Sequence, residues 1–195
     1  MPRAVKTVVD RVQDVVDQII GLTHKRVLIG IPSTSDGRKD GSKAGNALIG
    51  YVMEHGSPKH NVPARPHLVP GVKAVHQQTI NNMMKAARSA LDGDDQAVDR
   101  QLTIAATRAV SSVKKIIRGK IPPPLAAATV RARLMRTKAG ARRLIKMSDS
   151  TDTQIQAWGA QNLTPLIDTG DYIKHITWVI RNRGTGKTIK GGETP

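Results

Sequence analysis

No feature constrains this chain more than its want of aromatic rings: 195 residues hold no Phe, two Trp and two Tyr. A core must therefore be assembled from aliphatic side chains, and the length is enough for one ordinary domain to bury one. The same shortage removes the raw material for the base-stacking platforms of single-strand binders and RNA-recognition sheets. Cysteine is absent altogether, which excludes disulfide scaffolds, thiolate zinc sites, iron–sulfur clusters and cysteine nucleophiles. Apolar stretches such as Val27 to Ile31 fall far short of the ~20 residues of a membrane span, and the amino terminus has no signal-peptide pattern. A soluble, cytoplasmically made chain is expected.

Aliphatic periodicity supplies the elements. Val5, Val8, Val9, Val12, Val15, Val16, Ile19 and Ile20 recur at three- and four-residue spacing, so residues 4–20 read as an amphipathic helix. The period outweighs the β-branched propensity of its valines. Lys25 to Ile31 reads as a short strand stopped by Pro32, and 32–43, with Arg38, Lys39 and Lys43, as a mobile surface loop. Helical spacing resumes over 44–56. Pro58, Pro63 and Pro66 then demand a rigid extended connection. A long helix is expected from Val69 or Pro70 to Leu91, broken at Asp92-Gly93-Asp94-Asp95, with a second over 96–118 forming a hairpin with it. Pro122-Pro123-Pro124 precedes a basic helix over 125–135. Residues 137–164 are polar and weakly periodic, 172–181 reads as a strand, and 184–195 as a flexible Gly-, Thr- and Lys-rich tail. The expected organisation is an α+β domain over 1–182, helices on a small antiparallel sheet, followed by a flexible basic tail over 183–195.

Charge is distributed unevenly. With 31 Lys and Arg against 15 Asp and Glu, the net charge is +16 and the pI about 10.7. Between Arg100 and Ser148 stand 13 cations and not one acid. Such a block, with Arg131, Arg133, Arg136, Arg142 and Arg143 at its centre, is expected to face DNA or an acidic partner unless folding brings Asp10, Asp14 or Asp17 alongside.

Three groups invite a chemical reading. His55, His60 and His67 with Glu54 offer metal-ligand types, but their spacing fits no helical pairing and the intervening prolines oppose closure, so ordinary histidines are expected. Gly184-Thr185-Gly186-Lys187-Thr188 suggests a phosphate loop, yet Arg181 stands where its first Gly is required. Asp168-Thr169-Gly170 with Asp171 makes a turn or helix cap more naturally than an acid–base pair. No hydrolase elbow is present. An enzyme is not expected, nor any metal or other cofactor.

Four ordered segments carry a resemblance: KRVLIGIP at 25–32, NALIGYVMEHGS at 46–57, VPARPHLVPG at 62–71 and PLIDTGDYI at 165–173. This set resembles the tailed-bacteriophage virion morphogenesis proteins, the neck or tail-completion family that helps join head and tail, over about residues 25–182. His55 and His67 replace the family's usual Phe, and Tyr172 stands where Leu is common.

The resemblance implies a structural virion protein without catalytic residues, made in the bacterial cytoplasm and located at the head–tail neck. It implies a homo-oligomeric ring, six copies favoured and twelve possible, meeting portal or adaptor and tail terminator or tail tube proteins around the DNA channel, with no membrane. Pro63, Arg65 and Pro66 would form its rigid turn, with Arg65 bridging a carboxylate or capping carbonyls. The alternative expectation, motivated by the charge, is a basic nucleic-acid-binding accessory protein.

Overall fold

The computed structural model describes residues 2–33, 36–37 and 44–192, with side chains placed from residue 12 onward. The fold is α+β. Helix α1 spans Pro2–Thr23. Its Val15, Gln18 and Leu22 are half-buried, whereas Val12, Val16, Ile19 and Ile20 remain 41–58% exposed. The apolar stripe of α1 is thus wider than the surface that covers it. Strand β1, Lys25–Gly30, follows directly. The loop expected at 32–43 lies mostly outside the described residues, but Asp36 serves α2, Asn46–His55, by accepting from Ala47 N at 2.6 Å.

The proline-rich connection is pinned at both ends. Gly56 turns the chain at φ 79°, where a Cβ would stand 2.8 Å from Ala64 N, and Ser57 pairs with Val62 around a 3-10 turn at Pro58–His60. The helix expected to run unbroken to Leu91 is instead two, α3 at Leu68–Lys73 and α4 at His76–Leu91. Helix α5, Asp95–Arg118, explains the break. Gly71 of α3 sits so close that a Cβ would fall 2.6 Å from Val113 Cα, and the chain kinks at Val75 before α4 runs along α5. Asp94 caps α5 by accepting from Ala97 N at 2.7 Å. Along α5, Val98, Leu102, Ala105, Ala106, Ala109, Val110, Val113 and Ile117 are all buried, making it the central helix.

Helix α6 covers Ala127–Met135. The segment 137–164, read as polar and weakly periodic, holds two helices: α7 at Lys138–Lys146 and α8 at Asp152–Asn162. Thr137 caps the first and a Thr151–Gln154 capping box starts the second. The strand expected from 172 begins later. Residues Asp171–His175 form the short helix α9, which buries Tyr172, Ile173 and His175, and β2 occupies Thr177–Asn182. Within the stretch expected as a flexible tail, β3 at Thr188–Gly191 pairs with β2, so the boundary drawn at 182 falls inside a hairpin, while 193–195 lie outside the described residues.

The sheet is antiparallel in the order β1-β2-β3. Val27 and Ile29, opposite Ile180 and Trp178, pack on the main core. Arg26, Leu28 and Gly30, opposite Arg181, Val179 and Thr177, therefore take the other face. The main core gathers α4, α5, α9 and the sheet, and a second apolar cluster is built from Leu125, Ala127, Val130, Leu134 and Ile155. Among the described residues no helix is long and apolar enough to cross a membrane.

Candidate functional site

A cleft of about 910 Å³ lies between these clusters, lined by the proline turn, the 123–126 connection, α6 and the 166–172 segment. Its walls bring together residues more than a hundred positions apart. Glu54, near the end of α2, accepts from His67 N at 2.7 Å, Leu68 N at 2.9 Å and Val69 N at 3.0 Å. Burial alone would raise its pKa, but the three backbone N–H groups and His67 outweigh it and hold the carboxyl below its usual value.

His67 is 1% exposed. Its Nδ1 lies 2.8 Å from Arg65 O and 3.1 Å from Glu54 Oε2, both acceptors, so Nδ1 carries the proton. Nε2 then accepts from the Tyr172 hydroxyl at 2.5 Å. Burial first, and the Glu54 carboxylate second, push the Tyr172 phenol up and keep its proton on. Gly50 gives this hydroxyl room, since a Cβ there would stand 2.8 Å from it. One helical turn earlier, Asn46 Nδ2 donates to Asp171 at 3.2 Å. His67 and Tyr172, 105 positions apart, are thus joined as a buried polar pair.

Arg65 is buried, and Pro63 and Pro66 flank it on the exposed side of the turn. Its Nε donates to Pro123 O at 2.9 Å and its Nη2 to Pro124 O at 3.1 Å, so carbonyls rather than a carboxylate receive it. Opposite, Arg133 Nη1 donates to Thr164 O at 3.0 Å and Ile167 O at 2.7 Å, with Asp168 3.8 Å from its Nε. Arg136 pairs with the same Asp168. Burial lowers the pKa of both Arg65 and Arg133, and for Arg65 the neighbouring Arg133 adds to the shift. The arrangement fixes backbone, with guanidiniums holding four carbonyls and one carboxylate holding three N–H groups.

The basic block is not one face. Arg131 pairs with Asp152 at 2.6 Å, and Arg133 and Arg136 meet Asp168. The neutralising acids are therefore Asp152 and Asp168, not Asp14 or Asp17; the side chain of Asp10 lies outside the described residues. Three of the five arginines expected to face DNA or an acidic partner thus have carboxylates within the fold. Arg142 and Arg143 are exposed on α7, with the Arg143 guanidinium 5.8 Å from the Trp158 ring centre.

The three histidines do not converge. His55 Nδ1 bonds Tyr51 O, His60 Nδ1 meets the Ser57 hydroxyl, and His67 belongs to the cleft wall. Among the described residues no group of three or more His, Asp or Glu is placed to hold a metal. The Gly184–Thr188 run is the turn between β2 and β3. The amides of Gly184 and Thr185 donate to Asn182 Oδ1, and Gly186 N to Asn182 O, so they are already satisfied and form no phosphate cradle. The capping role of Glu54 and the Asn46–Asp171 bond were not legible in spacing. The weak signal for both lay in their membership of the ordered segments.

Comparison with protein-family models, with curated proteins and with solved structures finds no match to this chain.

Proposed function

We propose that this chain is a structural subunit of a tailed-bacteriophage particle, a neck or tail-completion protein whose copies form a ring joining head and tail around the DNA channel. The observation that supports this reading is the meeting of three of the four resemblance segments in one network: Asn46 with Asp171, Glu54 with His67 to Val69, and His67 with Tyr172. The segments that carry the resemblance are thus neighbours in space, although His67 and Tyr172 are themselves departures from its pattern. Self-association is supported by apolar groups left exposed, Val12, Val16, Ile19 and Ile20 on α1 and Ile145 at 73% exposure on α7. The test is to quantify the protein in purified particles and locate its density. A multicopy ring at the neck is expected. Absence from the particle, or a single copy, overturns the reading.

A further inference from the structure

Among the described residues, a group of cations without carboxylate partners lies on the sheet, away from the arginine-rich helices. Residues 181–192 hold Arg181, Arg183, Lys187 and Lys190 and no acid. Strand register sets Arg26 directly opposite Arg181, a like-charged cross-strand pair that is unfavourable unless an anion lies over it. Arg183 N donates to His24 O at 2.7 Å, which brings the β2–β3 turn to the same end of β1. Among the described residues none of these five cations has a carboxylate within 4.0 Å. Arg181 Nε is buried yet has no hydrogen-bond partner. Its side chain borders a shallow trough of about 280 Å³ on the outer sheet face, lined also by Leu28, Pro32, Thr177 and Val179.

We infer that this sheet face and hairpin turn form a binding surface for the phosphate backbone of duplex DNA, with Arg26 and Arg181 on the outer face and Arg183 and Lys187 in the turn as the contacting cations. Guanidinium forks suit phosphate oxygens, and cations spread over a two-stranded ribbon can follow a backbone. The helix α7 is the contrasting case. It carries Lys138, Arg142 and Lys146 around the exposed Ile145, a mixed face better suited to protein than to phosphate. The inference does not rest on the ring reading, since a DNA-facing hairpin is equally compatible with other assemblies.

The test uses the full chain and a fluorescent 30-base-pair duplex, with affinity measured by anisotropy between 50 and 200 mM salt. Two triple variants remove equal charge: Arg26→Gln/Arg183→Gln/Lys187→Gln on the outer face and hairpin turn, and Lys138→Gln/Arg142→Gln/Lys146→Gln on α7. All six side chains are exposed, and the bond to His24 uses the Arg183 backbone, so both variants should fold. The hairpin variant is expected to lose at least about tenfold in affinity and to flatten the logarithmic salt slope by about two to three. The α7 variant should change affinity by less than about threefold. Equal losses in the two variants, or no salt-dependent binding by the wild type at 50 mM, overturn the inference. Displacement of the duplex by polyglutamate at equal charge concentration also overturns it, by assigning the hairpin to an acidic protein instead.

Discussion

At Arg65 a single buried side chain holds the backbone carbonyls of two exposed prolines. Arg65→Ala should cost about 2–3 kcal/mol, because Pro123 O and Pro124 O lose a charged donor in one step. Arg65→Lys should recover less than half of that loss, since one ammonium on a flexible stem cannot reproduce the fork. Urea denaturation measures both, and a wild-type midpoint in Arg65→Ala would contradict the assignment. Glu54 gives a pH signature of known sign. Its folded-state pKa is lowered, so the stability it adds is present above its unfolded value and disappears as pH falls through the folded one. Wild type should therefore exceed Glu54→Gln in Tm at pH 7, and the gap should close in the acid range below the usual Glu value of about 4.3. A gap that persists at pH 2 would show that charge is not its origin.

Among the elements, α3 and α5 meet backbone to backbone at Gly71. Gly71→Ala places a methyl against Val113 backbone, which cannot rotate away, and should destabilise by about 1–3 kcal/mol, read from urea midpoints. Sequence alone revealed α1, α2, α4, α5 and β1, because their apolar residues repeat with the right period. The break between α3 and α4 was hidden, since it arises from how closely a glycine lets two backbones meet. Helices α7 and α8 were hidden for different reasons: α7 is amphipathic but only nine residues long, α8 has almost no apolar face, and the caps Thr137 and Thr151 were the readable cue. β3 escaped because its four residues are all exposed and the strand exists only through pairing with β2. For the site, Arg65 was legible from its flanking prolines, whereas the partners of Arg131 and Arg136 lie 21 and 32 residues away and only the fold connects them.

For the molecule as a whole, a net charge of +16 means that copies brought side by side repel unless something negative lies between them. An oligomer must offset that repulsion with apolar contact, and the uncovered stripe on α1 is the largest such resource among the described helices. Val16→Asp/Ile20→Asp should leave monomer stability within about 0.5 kcal/mol, because both side chains are already exposed. The same variant should abolish whatever self-association the wild type shows in sedimentation velocity. Association unchanged by the two acids would move the interface elsewhere.

The cleft also sets how the protein should open. Across it, the second apolar cluster is tied to the first by cations on backbone: Arg65 on 123 and 124, Arg133 on 164 and 167, and Lys120 on Ala160 and Gln161 at the end of α8. Water can take over such bonds, while it cannot replace the aliphatic contacts inside either cluster. Parting along this line exposes little oil. Amide hydrogen exchange should accordingly divide the chain into two cooperative units, with α6 to α8 exchanging through a shared opening of lower free energy than α5. Added salt, competing for the same cations, should speed the first unit and leave the second at its own pace.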